Sequence, residues 1–526
     1  MGTFINTGNA GFQSARNGEY VDKSGLIAIV NSTLNTERRF SCVTRSRRFG
    51  KSMAAKMLCA YYDKSCDSRA LFADLAIAKD ASFEHHLNKY AVLYLDMTTF
   101  VTQYHNEEIV KEIDSKLKND VMKANTDVTV QEDDDLMGCL IRITEATGQQ
   151  FFFIIDEWDA ICREFKKGTM PMDRYVNWLR RMFKDMNANR VFAGVYMTGI
   201  LPIKKYPTES ALNNFQEYSM VMPRNMASFF GFTKNEVESL AKKHGANFDD
   251  LEKWYDGYQI GGELSIFNPN SVMQAIYSDW CESYWAATGA YDAVANYINM
   301  NFDGLKDDII KMIGGGRCKV DPTGFQNDMS LIRSKDDVFT VLIHLGYLSY
   351  DRTKHECYIP NREVAGEMVN AVRSNNWKNV VDAIEKSEYL LQATLNGDAE
   401  YVAHSIDAVH DEHTSILSYN DENSLACVLS IAYYYAKNDY VMHRELATGK
   451  GFADIVLIPR KNVDSPAIVL ELKYNQDADT AIGQIKRRQY PEKVAQYADR
   501  LILVGINYDK QKKAHQCVIE QIYGLS

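Results

Sequence analysis

Two stretches of this chain hold side chains whose types and spacing suit phosphate chemistry. The first is "RSRRFGKS" (45–52). Here the loop amides through Arg47, Arg48, Phe49 and Gly50, with the N-terminus of a following helix, are placed to cradle phosphates. Lys51 would reach the outer phosphate oxygens, and the Ser52 hydroxyl would ligate Mg²⁺. Arg47 and Arg48 read either as further phosphate contacts or as solvated charges. The pattern GxxxxGK[ST] is incomplete, because Arg45 occupies its first glycine position. The second stretch lies near the far end of the chain, where Asp454 is followed by "VLELKY" with Glu471 and Lys473. Burying two unlike charges side by side in an apolar run is costly unless something uses them. Asp454 and Glu471 are hard oxygen ligands for Mg²⁺. A metal there would activate a water and neutralise a scissile phosphate, with Lys473 favouring hydroxide and the developing charge. The competing reading is a salt bridge between adjacent strands.

The elements needed to position these groups are legible. Phe40–Thr44 reads as a short strand, and "KSMAAKMLCAYY" after the loop has helical composition. "GQQFFFIIDEWDAI" is a continuous apolar run ending in Asp156 and Glu157, as a buried parallel strand would read. At its carboxyl end Asp156 would hold Mg²⁺ through water and Glu157 would polarise an attacking water. "YAVLYLDMT" (90–98) and "RVFAGVYMTG" (190–199) supply two more strands. Thr198, at the end of the latter, reads as a γ-phosphate sensor or simply as a β-branched strand residue.

These residues carry a resemblance. "YVDKSGLI" (20–27), "TRSRRFGKS" (44–52) and "FIIDEWDA" (153–160) resemble the bacterial AAA-ATPase-like family, whose P-loop also lacks the first glycine. Ser46 stands where that family has proline, and Trp158 where it has tyrosine; neither change removes a phosphate- or metal-contacting group. "WYDGYQI" (254–260), "FNPNSVM" (267–273) and "YWAATG" (284–289) are similar to the same family. The resemblance implies a P-loop fold that binds ATP with Mg²⁺.

Residues 225–400 read as helix-rich. Thr233 and Glu236 form a capping box ahead of "KNEVESLAKKHG". An apolar helix runs into Gly346, and "YLSYDRTKHECYIP" alternates about a polar turn as a hairpin does. Helix plus hairpin resembles a winged helix, which either touches DNA or transmits nucleotide state. The aromatic turns read as a lid or sensor, or as packing.

In the last 120 residues, "GFADIVLIP" and "AIVLELKY" read as strands joined by a turn, which brings Asp454 beside Glu471 and Lys473. Residues two apart on a strand share a face. The arrangement resembles the active-site pattern of PD-(D/E)XK nucleases, a domain that the AAA-ATPase-like family also carries at its C-terminus. Glu422 and Glu445 read as accessory metal ligands. Gln484 and Tyr490 lie on the "QI…Y" helix that follows in the resembled domain, and Lys486, Arg487 and Arg488 read as a phosphate contact or a solvated face.

The expected fold is α/β multidomain: a P-loop sheet (1–225), a helical and winged-helix connector (226–400) and a restriction-endonuclease-like domain (401–526). A chain of 526 residues supports several cores. Its net charge of −11 argues against a nonspecific DNA coater, so nucleic-acid contact must be local. The ten scattered cysteines have no CxxC spacing, which argues against a zinc site and suggests reduced thiols. No signal peptide or membrane-length apolar run is seen, so a cytoplasmic protein without membrane contact is expected. The expected activity is ATP-regulated, Mg²⁺-dependent cleavage of nucleic acid, with DNA preferred. The alternatives are a nucleotide switch whose nuclease-like domain only docks DNA or a protein partner, and an ATPase acting on protein. Homo-oligomerisation is left open.

Overall fold

The computed structural model describes residues 2–104, 108–131, 133–165, 170–203, 212–262, 264–285, 291–300, 302–326, 331–374, 378–413, 429–447, 452–460, 463–487, 497 and 500–523. The chain divides into two compact units, Met1–Ala287 with Lys319–Val364 and Thr288–Cys318 with Ala365–Ser526. Of the stretch 226–400, residues 226–287 and 319–364 fall in the first unit and 288–318 and 365–400 in the second.

The first unit is built on a five-stranded sheet in the order β2-β3-β4-β1-β5. Its strands are β1 (Phe40–Thr44), β2 (Ala91–Asp96), β3 (Phe151–Asp156), β4 (Phe192–Gly199) and β5 (Gln216–Tyr218), and every pairing is parallel. Alternation along the apolar runs assigns their two faces. Phe151, Phe153 and Ile155 enter a core with Leu93, Leu95, Phe183 and Leu179, whereas Phe152 and Ile154 enter another with Leu58, Tyr62 and Tyr196. A parallel sheet covered on both faces explains why these strands read as continuous apolar runs. The helix Lys51–Tyr62 belongs to the second core and Met170–Phe183 to the first.

The same unit continues through β6 (Phe232–Thr233), β7 (Tyr258–Gln259) and β8 (Ser265–Phe267), a small antiparallel sheet in the order β6-β8-β7. The helix Lys234–His244 opens with the expected capping box of Thr233 and Glu236. After a short strand, β9 (Cys318–Lys319), the helix Lys335–Leu345 is capped at its start by Ser334 and ends on Gly346 at φ +90°. β10 (Ser349–Asp351) and β11 (Glu356–Tyr358) then form the expected hairpin, with Tyr350 opposite Cys357.

The second unit carries β12 (Tyr440–Ala447), β13 (Phe452–Pro459), β14 (Ala467–Tyr474), β15 (Arg500–Asp509) and β16 (Ala514–Tyr523), in that order across one sheet. All neighbours are antiparallel except β14 and β15, and the helix Ala478–Arg487 lies in the crossover that a parallel pair requires. Val456, Val469 and Leu503 pack against Ile482 and Ile485 of that helix. Approach is close: a Cβ at Gly505 would stand 2.5 Å from the Ala478 carbonyl oxygen. Asp407 of the helix Ala399–His413 accepts from both the backbone and the ring of His515, each at 2.7 Å, tying that helix to β16.

Candidate functional site

The first site forms at the carboxyl ends of β1, β3 and β4, with β4 standing between the other two. The strand order puts Thr198 between the phosphate loop and the acidic end of β3, and its hydroxyl donates to Asp156 Oδ1. Tyr94 from β2 donates to the other oxygen of Asp156 at 3.2 Å. Ser52 also lowers the pKa of Asp156, so the two residues expected to hold Mg²⁺ act on one another. Burial raises the Asp156 carboxyl above its ordinary range, offset by the bond from Thr198 and by Ser52. A buried carboxylate beside a hydroxyl is a hard oxygen donor set that fits Mg²⁺, and the cation would relieve the desolvation cost.

The loop itself is shaped for a backbone approach. Gly50 caps the helix Lys51–Tyr62 at φ +90°, a conformation that side chains with a Cβ rarely adopt. Lys51 is almost fully buried and donates to the Ser46 carbonyl at 3.1 Å, with Glu157 Oε1 at 3.4 Å. Arg45, at the missing glycine, faces away from this chemistry. Its Nη1 donates to the carbonyls of Thr44 at 2.8 Å and Tyr218 at 2.7 Å, and its guanidinium stands 5.2 Å from the Phe230 ring centre. It is a structural strut between β1 and β5, and burial brings its pKa down to about 10. Arg47 is exposed, whereas Arg48 is partly buried and donates to the Tyr284 carbonyl at 2.8 Å. Phe49 is buried with its ring edge-on to Tyr258 at 5.0 Å.

That contact extends the loop into later sequence. Tyr258 donates to the Gly346 carbonyl at 2.9 Å, and a Cβ at Gly346 would meet Ser46 Oγ at 2.5 Å and Trp285 at 2.8 Å. Glu363 accepts from the backbone of Tyr284 at 2.8 Å and of Trp285 at 2.9 Å. The aromatic turns thus pack the back of the phosphate loop.

The second site is organised by register. On β14, Glu471 is 1% exposed and Lys473 7% exposed, and Lys473 Nζ donates to Glu471 Oε1 at 3.3 Å. The pairs Ile455↔Leu470 and Val456↔Val469 bring Asp454, one residue further, level with Glu471. The pairs Arg444↔Ile455 and Leu446↔Ala453 bring Glu445 level with Asp454. Glu445, Asp454 and Glu471 therefore occupy one row across three adjacent strands, with Gly505 beside Glu471 and Asn507 beside Lys473. Glu445 and Asp454 are placed here by backbone alone. Oxygen donors in such a row, one nearly fully buried, are the chemistry a hard divalent cation takes. Among the described residues no group of three or more His, Cys, Asp or Glu is gathered as a metal centre.

Gln484 is partly buried on the helix Ala478–Arg487. Lys486 is paired with Glu520 at 2.6 Å, which reduces the positive charge it offers to phosphate. Glu422, Tyr490 and Arg488 lie outside the described residues, as does the Arg487 side chain. Sequence reasoning missed Tyr94 and Arg163. Tyr94 is one polar position in an apolar strand that ends beside Asp156; Arg163 lies four residues after Asp159 in a helical stretch, a spacing that signals an ion pair.

With this geometry in view, residues 8–207 match the family model described as "Predicted AAA-ATPase", and residues 420–517 match that of the PD-(D/E)XK nuclease superfamily. The chain is also 24% identical over 294 residues to "Uncharacterized protein in vnfD 5'region" of Azotobacter chroococcum mcd 1. That match covers 53% of this chain and 52% of the relative, so the chain spans about half the length of that curated relative. The two family matches support the architecture expected from the motifs: an AAA-ATPase-like domain followed by a PD-(D/E)XK-superfamily domain. Among the described residues no helix is long and apolar enough to cross a membrane.

Proposed function

We propose that this chain binds and hydrolyses ATP at its first site and cleaves nucleic-acid phosphodiesters, with DNA as the preferred substrate, at its second. The cleavage assignment is carried by one observation: the buried Glu471–Lys473 pair lies on the strand whose register brings Asp454 alongside. Asp454 and Glu471 would hold Mg²⁺, with Glu445 as a further ligand, and the cation would supply an activated water and charge neutralisation. Lys473 would stabilise the negative charge that builds on the phosphate. At the first site Ser52 and Asp156 would hold Mg²⁺, Lys51 would take the outer phosphates and Glu157 would polarise water. Nucleotide state would regulate cleavage. The ten scattered cysteines, without CxxC spacing, suit a reducing cytoplasmic setting.

A second reading has support of its own. Lys486 is engaged by Glu520 and Lys473 by Glu471, an arrangement that also suits a domain docking DNA or protein without cutting. Nicking of supercoiled plasmid separates the two. The cutting role predicts Mg²⁺-dependent nicking by wild type that Lys473→Ala abolishes; equal activity in both proteins, or none in either, favours docking.

A further inference from the structure

We propose that Arg163 is a positioning residue for hydrolysis at the nucleotide site, fixing one oxygen of Glu157 so that the other faces the attacking water. The proposal rests on reading Lys51, Asp156 and Glu157 as an ATP-hydrolysing site.

The two carboxylate oxygens of Glu157 have different partners. Oε2 accepts from Arg163 Nη2 at 2.6 Å, while Oε1 lies 3.4 Å from Lys51 Nζ. Arg163 is anchored in turn, its Nε standing 3.3 Å from Asp159 Oδ2. Asp159 is fully buried and accepts from the backbone of Leu201 at 2.9 Å and of Ile200 at 3.2 Å. Acid and base therefore alternate along one row: Asp159, Arg163, Glu157, Lys51. The row begins at Asp159, bonded to the backbone just past β4, and finishes at the phosphate loop.

The backbone holds Glu157 in an uncommon state. Its φ is +52°, in the left-handed region, and the next amide, of Trp158, donates to the Thr198 carbonyl at 2.8 Å. A non-glycine residue keeps that conformation only where its surroundings over-determine it. Arg163 and Glu157 are 16% and 18% exposed, so their pair is far less screened than a surface one.

Nucleotide would act on one end of this row. When Lys51 turns to the phosphates, Oε1 loses its cation while Oε2 keeps Arg163. Oε1 is then the oxygen available to a water. In the step it serves, the water oxygen bonds to the γ-phosphorus and the water's proton passes to Oε1. The bond from that phosphorus to the β–γ bridging oxygen breaks, its electron pair leaving with ADP. Arg163 touches neither phosphate nor water in this scheme; it holds the base.

Steady-state ATP hydrolysis and nucleotide binding by the full chain test this, with wild type, Arg163→Ala, Arg163→Lys, Glu157→Gln, Lys51→Ala and the double variant Glu157→Gln/Arg163→Ala. The expected result is a fall in kcat of about 10- to 100-fold for Arg163→Ala, the scale of a misplaced catalytic group. Its nucleotide Kd should stay within about twofold of wild type, and Arg163→Lys should recover part of kcat. The double variant should be no slower than Glu157→Gln, since Arg163 acts only through that carboxylate. An unchanged or raised kcat in Arg163→Ala, or a loss of nucleotide affinity as large as the loss of kcat, overturns the proposal. Should wild type hydrolyse no faster than Lys51→Ala, the reading of the site itself fails, and the role of Arg163 falls with it.

Discussion

Lys473 Nζ lies 3.3 Å from Glu471 Oε1 on a single strand, and both side chains are more than nine-tenths buried. Two residues apart on β14, they share the face that meets the helix Ala478–Arg487. Breaking a buried pair by removing one partner leaves an uncompensated charge, whereas replacing both with apolar groups can be neutral. Lys473→Met should therefore lower the stability of the C-terminal sheet by about 3–5 kcal/mol in metal-free buffer. Glu471→Leu/Lys473→Met should recover most of that loss. Urea unfolding followed by a probe on this sheet measures both. A neutral single variant would mean that the pair is open to water.

Nucleotide should stabilise the first unit through Lys51. A ligand at 100 times its Kd adds about 2.7 kcal/mol to a domain that binds it only when folded. Thermal unfolding with Mg²⁺–ATP should show this gain for wild type, and Lys51→Ala should lose it. Retention of the full gain in Lys51→Ala would place the nucleotide elsewhere.

Asp156 gives a pH dependence of defined sign. Burial raises its folded pKa above the ordinary value near 3.8. A raised carboxyl binds protons more tightly folded than unfolded, so its contribution to stability is complete below the unfolded pKa. That contribution is lost as pH climbs through the folded pKa. Relative to Asp156→Asn, metal-free wild type should thus lose stability as pH rises above about 4. Mg²⁺–nucleotide should restore it, because the cation favours the ionised form. Paired melting curves across that range check the sign; a wild type that gains stability over the same interval contradicts it.

Gly346 is distant in sequence from the phosphate loop yet lies against it. With φ at +90° and Ser46 Oγ 2.5 Å from where its Cβ would stand, Gly346→Ala adds both backbone strain and a clash. The cost should be about 1–3 kcal/mol, and the displaced loop should bind ATP more weakly. Calorimetric titration of Gly346→Ala beside wild type reads the second effect. Unaltered affinity would mean that the aromatic turns pack behind the loop without shaping it.

Local pattern carried much of this architecture. "FFFIID" reads as a buried strand because a parallel sheet covered on both faces demands a continuous apolar run, and Thr233 with Glu236 announces a helix start by capping chemistry alone. Sheet order was not legible. That β4 separates β1 from β3, and so lays Thr198 against Asp156, depends on long-range pairing that no window of sequence contains. Arg45 looked like a defect in the phosphate loop, because its real partners, Tyr218 and Phe230, lie more than 170 residues away. Asp454 beside Glu471 was legible from two strands and the turn between them, whereas Glu445 read only as an accessory acid with no place in the row. Register across three strands makes the three acids neighbours.

Divalent-cation binding to the full chain in an Asp156→Asn background, without nucleotide, tests the central claim most directly. Isothermal titration with Mn²⁺ should reveal a site that either Asp454→Asn or Glu471→Gln removes, since both carboxylates serve one ion. If each of those single variants binds Mn²⁺ as the parent does, the row of acids on the C-terminal sheet is not a metal site, and the cutting role is contradicted.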